Sequence, residues 1–399
     1  MVALGAGPRL WRSATALSGR AVVARCAVRA AGAHRGPIPL FPILIVMRKL
    51  NTAAFVIIVM CGAAALLWRL NEEAGPLAQL LRQSSWLDGA ATQALDRRVA
   101  QAAMPQPAVR RVINGLLYAV TGDADPQVRR GCPGWLFLTE EVVETPGGER
   151  NLQRRVLLAG RLLADLRKRG IEVVAVPVPD KVEQAAGELC GLDVSWQARG
   201  RRLAWQQASA GLALRQVDLH GGWVAPGYWR TDTHWNREGA RFAAGRVAAA
   251  AQAYVPAGDV VMQLRVAART QPRGGDLARL AGIDGNVPPF APQPDLDRDE
   301  QLEIRRSGGL LDNAPAPVVM LAGSSYSLNS GFFDDLQFAM KQEIAQQSRV
   351  GSGFAGSVLQ LLRHDPERLG GIRLLIWEWP LRSLYQPLTD EEIAYLEQR

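Results

Sequence analysis

The chain has 399 residues, room for one large domain or two ordinary ones, and 48% of them are apolar, enough for a substantial core. Its formal charge of +8 is unevenly placed. Six arginines before residue 47, with no acid among them, and the three cations Arg48, Lys49 and Arg69 account for all of it. The remaining body is close to neutral and has no global electrostatic footprint for nucleic acid, so no nucleic-acid partner is expected.

Residues 1–46 are rich in Ala, Arg, Gly and Val. That composition suits an organellar transit peptide, but Met47 opens a complete targeting signal of its own. The segment is therefore expected to be an upstream leader that the natural product lacks. Residues 47–70 carry a short positive flank, Arg48-Lys49, and an uncharged apolar run from Ala53 to Trp68 closed by Arg69. Sixteen residues are slightly short for a spanning helix, and Leu50, Thr52 and Leu70 can extend the run. The flanking cations predict a cytoplasmic N-terminus and an exported body. Small residues at 63–65 leave a cleaved signal peptide open, and an uncleaved signal anchor is preferred. Cys26 and Cys61 fall in these segments. Cys132 and Cys190 remain for the body, as one disulfide in an oxidising compartment or as two buried thiols. No CxxC or HExxH spacing occurs, so no metal site and no cofactor are expected.

Residues 71–130 show helical spacing at Leu77, Leu80 and Leu81 and again at Val109, Val112, Leu116 and Leu117, interrupted by Pro105 and Pro107. They read as a helical lead-in to a domain covering 131–399. From 131 the signals alternate. Gly131 to Gly134 reads as a turn before a short strand over 135–138. Leu152 to Arg169 reads as a helix stopped by Gly170, and Ile171 to Val176 as a buried β-branched strand that runs into Pro177-Val178-Pro179-Asp180-Lys181. Helices are expected over Trp205–Leu214 and Glu238–Tyr254, and strands over Gln216–Leu219, Pro317–Ala322 and Ile372–Trp377. Helix followed by buried strand is the unit of a parallel sheet, and ligands of such sheets bind beyond the carboxyl ends of the strands. Ser325, the Pro179–Lys181 loop and Trp377-Glu378 all fall at such ends. Gly275-Asp276-Leu277 reads as a turn.

Two stretches carry chemistry. Asp232-Thr233-His234 sets a carboxylate and an imidazole two positions apart, and an oriented imidazole can serve as a general base. Such triplets also occur as helix caps, and a helix-like run follows. Histidine scarcity favours the chemical reading: of the four histidines, His34 lies in the leader, His364 in an exposed turn, and His220 is less well placed. About ninety residues on, Gly323-Ser324-Ser325-Tyr326-Ser327 follows a buried strand directly and supplies a nucleophile at Ser325.

Six motifs occur in order: Gly134-Trp135-Leu136-Phe137, the Pro177–Lys181 loop, Asp232-Thr233-His234-Trp235, Gly275-Asp276-Leu277, Gly323–Ser327, and Trp377-Glu378 with Arg382. Together, over roughly 85–390, they resemble the periplasmic alginate O-acetyltransferases of the AlgJ/AlgX type. The resemblance implies an α/β fold, an SGNH-hydrolase-like parallel sheet flanked by helices, here behind an N-terminal anchor. It implies an Asp232-His234-Ser325 triad in which acid and base precede the nucleophile, the reverse of ordinary SGNH esterases. It also implies a polysaccharide acceptor, and a membrane-bound acyltransferase partner as acetyl donor at the inner membrane. Ser324 stands where the family usually has Thr, and no trailing carbohydrate-binding module of the AlgX kind is expected. Tyr326, Trp235 and Trp377 are read as sugar-stacking faces or as core aromatics, and Lys181 and Arg382 as contacts for a uronate or for structural carboxylates such as Glu378. An esterase or deacetylase with the same triad, and a non-catalytic subunit of an export complex, are the competing functions.

Overall fold

The computed structural model describes residues 40–72, 107–123, 125–223, 226–305 and 316–398, with single positions at 92, 96 and 99. Of the leader expected over 1–46, residues 1–39 lie outside the described residues, as does the helical spacing around Leu77–Leu81, while 40–46 belong to the first helix. The chain divides into two compact units, Met1–Met104 and Pro105–Arg399.

In the first unit, helix α1 spans Leu40–Glu72. Within it Asn51–Leu70, 20 residues with mean hydropathy 2.2, is long and apolar enough to cross a membrane. At 1.5 Å per residue that stretch covers ~30 Å, the thickness of a hydrocarbon core.

The second unit opens with helix α2 (Pro107–Thr121) and a hairpin of β1 (Val128–Arg130) and β2 (Leu136–Leu138). Val128 pairs with Leu138 and Arg130 with Leu136, so the hairpin crosses position 131, where the sequence reading began the domain. Next come α3 (Gly148–Lys168), β3 (Glu172–Val178), α4 (Trp196–Ala208), β4 (Arg215–Gln216) and α5 (Arg237–Ala251). After them the chain forms the long strands β5 (Val261–Arg273) and β6 (Asp295–Arg305), with the short helix α6 (Asp276–Leu280) between. It closes with β7 (Val319–Gly323), α7 (Phe332–Met340), β8 (Ala345–Ser348), α8 (Gly356–Arg363), β9 (Leu374–Pro380) and α9 (Asp390–Glu397).

The central sheet runs β4-β3-β9-β7-β8 and is parallel throughout. Its strands are apolar on both faces because helices cover both. Side chains alternate along β3: Val173 and Ala175 join Leu158, Leu162 and Leu166 of α3, while Val174, Val176 and Val178 join Ala240, Ala244 and Val247 of α5. Phe332 and Leu336 of α7 complete the second face.

The helix expected over Trp205–Leu214 lies earlier, over Trp196–Ala208. Ser195 fixes its start, its hydroxyl accepting from the Ala198 amide at 3.2 Å. The β5–β6 pair was not expected at all. Its residues are mostly exposed and it packs little apolar surface, so no core period marks it. Cys132 and Cys190 form a disulfide, with Cα atoms 4.8 Å apart.

Candidate active site

The acid–base segment is a bend and not an extended strand. Asp232 Oδ1 accepts from the His234 backbone amide at 3.0 Å and, at 2.6 Å, from His234 Nδ1. One carboxylate oxygen therefore fixes both the turn and the ring. That fixes the tautomer: Nδ1 carries the proton and Nε2 is free to accept. His234 Nε2 lies 2.9 Å from Ser325 Oγ. The three residues that the sequence picked out meet in one hydrogen-bonded line.

Asp232 Oδ2 accepts from Arg273 Nη2 at 3.0 Å and from the Asp276 amide at 3.2 Å. Burial works against the Asp232 charge, but the hydrogen bonds from His234 and the Arg273 guanidinium outweigh it and hold the carboxyl well below its usual range. Gly275-Asp276-Leu277 is thus the start of α6 and not a free turn. Gly275 is required there, since a Cβ would come within 1.8 Å of the Thr231 carbonyl oxygen. The Asp276 carboxylate accepts from the Thr233 amide at 2.7 Å and the Thr233 hydroxyl at 2.5 Å, and sits 3.5 Å from His234 Nδ1. Asp295, at the base of the long hairpin, accepts from the Thr231 amide and hydroxyl at 3.0 and 2.8 Å.

Asp232, His234 and Asp276 offer ligand atoms within 4.8 Å of one another. These atoms already bond one another, Thr233 and Arg273, so the donor set is committed to holding the imidazole and does not fit a metal.

The turn that carries Ser325 is built differently. β7 ends at Gly323, and Ser325–Leu328 forms a single tight helical turn. Glu378, beside Gly323 on neighbouring β9, accepts from the Ser324 amide and hydroxyl, both at 2.7 Å, and from the Ser327 amide and hydroxyl at 3.2 and 2.7 Å. These bonds bracket Ser325 on both sides. Ser324 Oγ also accepts from the Tyr326 amide, so all its bonds use the hydroxyl that Ser shares with Thr. That accounts for Ser at this position. Gly323 is needed because a Cβ would lie 2.1 Å from Ser327 Oγ.

Asn329 ties the two halves. Its Nδ2 donates to the Ser325 carbonyl at 2.8 Å, and its Oδ1 lies 3.5 Å from Arg273 Nη2. Tyr326 OH donates to the Thr233 carbonyl at 2.8 Å.

The secondary site residues are corrected. Trp235 and Tyr326 are fully buried and Trp377 is 1% exposed, so none can offer a ring face to a sugar. Trp235 packs edge-on against Tyr326 and tilted against Phe332 in the core of the second sheet face. Trp377 lies with Phe354 and Trp379 under the other face, its Nε1 donating to the Phe354 carbonyl. Lys181 is wholly buried, and Nζ donates to the carbonyls of Leu136, Arg230 and Asp232 at 2.6, 3.0 and 2.9 Å, leaving no donor for a ligand. Arg382 pairs with Glu140 and Glu141 at 2.8 and 2.9 Å and donates to Tyr326 OH, so its partners are structural, and Glu378 is not among them. His220 lies away from the site against Gln184.

Arg273, Asp276, Asn329 and Glu378 are the residues that sequence reasoning missed in these roles. Gly275-Asp276 and Trp377-Glu378 were visible as motifs, but their partners lie more than forty residues away in the chain. Arg273 and Asn329 had no sequence signal.

Residues 128–381 match the family of the SGNH hydrolase-like domain, acetyltransferase AlgX. The chain is similar to the probable alginate O-acetylase AlgJ of Pseudomonas aeruginosa, 27% identical over 299 residues that cover 69% of this chain and 74% of that protein. The AlgJ protein of Azotobacter vinelandii is 28% identical over 285 residues, 67% of this chain and 72% of that one. Among solved structures, the O-acetyltransferase domain of Pseudomonas putida AlgJ superposes with a TM-score of 0.58 at 24% identity, covering 68% of this chain and 99% of that domain, which is a likeness of fold. A parallel five-stranded sheet with helices on both faces, a serine at the end of β7 and a family match over 128–381 lead to one assignment: the chain belongs to the SGNH hydrolase-like acetyltransferase family of the AlgX type.

Proposed function

We propose that the protein is an O-acetyltransferase that moves acetyl groups onto hydroxyls of an alginate-like exopolysaccharide through an acetyl-enzyme on Ser325. The observation that carries this reading is the continuous line from Asp232 through His234 to Ser325 Oγ, with steps of 2.6 and 2.9 Å. His234 Nε2 takes the Ser325 proton as Oγ attacks the acetyl carbonyl of the donor, and then passes it to the leaving group. Asp232 holds the tautomer and stabilises the imidazolium that forms between these steps. A sugar hydroxyl then attacks the acetyl carbon, gives its proton to His234, and Ser325 leaves with that proton restored. The Ser325 backbone N–H, at the strand-to-turn junction, is the oxyanion donor in this reading.

The accompanying cell biology is part of the proposal. Asn51–Leu70 anchors the chain once in the inner membrane, the second unit works in the periplasm, and a membrane-bound acyltransferase supplies acetyl. The apolar run, its positive flank and the AlgJ names of its relatives support that arrangement.

The test treats the protein with a serine-reactive phosphonate and maps the adduct, then measures acetylated oligosaccharide and free acetate from an activated acetyl ester. Adduct at Ser325 and acetyl-sugar as a product are expected. Acetate alone, from every oligosaccharide tried, would make an esterase the better reading, and an adduct at Ser324 or Ser327 would overturn the nucleophile.

A further inference from the structure

We propose that helix α2 is a membrane-surface helix that lays the catalytic unit on the lipid bilayer. Its sequence, PAVRRVINGLLYAVT, holds two arginines and no acid. Tyr118 and Gly115 face inward and are buried, and Asn114 Nδ2 donates to the Ala281 carbonyl at 2.7 Å, so that side is docked on the domain. The other side presents Val109, Val112, Ile113, Leu116, Leu117 and Val120, which fall on one stripe at helical spacing. All six are exposed, Val112 at 60% and Val120 at 82%.

The loop beside the helix is also apolar and exposed. The loop after α6 docks on α2 through Asn286 Nδ2, which donates to the Arg111 carbonyl at 3.0 Å. That loop adds Val287, 68% exposed, and Phe290, 38% exposed. Six exposed apolar side chains on one helix face mark an interaction surface.

Charge selects the occupant. A helix with an apolar face, a cationic remainder and no acid matches an interface between lipid tails and anionic headgroups. The same helix of a second copy offers no acid to pair with Arg110 and Arg111. The proposal rests on the anchor reading above, which puts a lipid surface within the same chain.

The test uses the full chain in nanodiscs of phosphatidylethanolamine and phosphatidylglycerol. An environment-sensitive fluorophore is attached at Val112→Cys, Leu116→Cys or Val120→Cys in a Cys26→Ser, Cys61→Ser background, and quenched by lipids carrying a doxyl group near the headgroup for these sites and deep in the acyl chain for Cys61. Val350→Cys, 73% exposed elsewhere on the unit, is the aqueous control, and a label at native Cys61 reports the span. Blue-shifted emission and strong quenching at 112, 116 and 120, absent at 350, are expected. Quenching at 120 should fall when Val112→Asp and Leu116→Asp are added, with thermal unfolding of that variant in detergent unchanged.

Quenching at Cys61 but not at the three helix positions would leave the anchor standing and overturn the helix assignment. If the unquenched helix labels were nonetheless blue-shifted, protein would be covering the stripe, either residues 73–106 or a second copy, and the proposal would again fail. No quenching at Cys61 would remove the anchor, and this inference with it.

Discussion

The two turns that meet at the site are held by opposite means. Asp232 is a carboxylate fixed by an imidazole, a guanidinium and two backbone amides. Glu378 is a carboxylate fixed by two hydroxyls and two amides, all neutral. The first is pulled below its usual range because the hydrogen bonds from His234 and the charge of the Arg273 guanidinium outweigh its burial. The second is pushed up, because burial outweighs the hydrogen bonds from Ser327 and Ser324. A charged clamp tunes the group that must answer a moving proton, whereas a neutral clamp merely fixes a loop. On the proposed mechanism the Asp232 side would therefore set the rate, and the Glu378 side would set where Ser325 stands.

The comparison breaks most sharply at Asp232. Asp232→Asn keeps the shape but lets the imidazole take the wrong tautomer, so kcat for acetyl transfer should fall by ~10⁴-fold. Arg273→Ala should cost less, on the order of 10²-fold, because the carboxylate stays and only its aim is lost. Arg273→Lys should recover part of that loss, with KM for the acetyl donor little changed in both. A kcat for Arg273→Ala equal to wild type would show that the long hairpin does not orient the acid.

Glu378→Ala should act on the fold first. It leaves four buried donors unpartnered, and one such group alone costs ~1–3 kcal/mol, so denaturant unfolding should show a loss of about 3 kcal/mol or more. Residual activity per folded molecule should drop as well, since Ser325 loses its bracket. A variant with wild-type stability would mean that water or neighbouring groups replace the carboxylate.

The smallest expected effect is on pH dependence, and its sign differs between the two acids. The folded pKa of Asp232 lies below its ordinary value of 3.8, so its stabilisation is present above that pH and is lost as pH falls below it. Glu378 is raised from 4.5, so its favourable contribution is complete below pH 4.5 and declines as pH rises through the folded value. Urea midpoints measured from pH 3 to 8 should therefore show a shallower acid limb for Asp232→Asn and a shallower fall on the less acid side for Glu378→Gln. Parallel curves for both variants and wild type would remove the distinction.

Much of the architecture was legible before any coordinates. Buried β-branched runs, the Gly170 stop and the Ala-rich helix after Asn236 are local signals, and they mark β3, β7, β9, α3 and α5 because burial and capping act within a few residues. The three residues of the proposed triad could be picked out for the same reason: Asp232 and His234 are two positions apart, and Ser325 follows a strand end. The β5–β6 hairpin, the Arg273 and Asn329 link and the clamp by Glu378 were not, because each joins residues far apart in the chain and leaves no period in the sequence. The aromatics are the clearest case. A Trp beside a base and a Tyr beside a nucleophile look alike in sequence whether they face a sugar or the core, since adjacency in the chain does not say which side of the sheet a ring takes. Packing decided it, driving Trp235 and Tyr326 edge to face beneath the site and leaving Ser325 partly open above them.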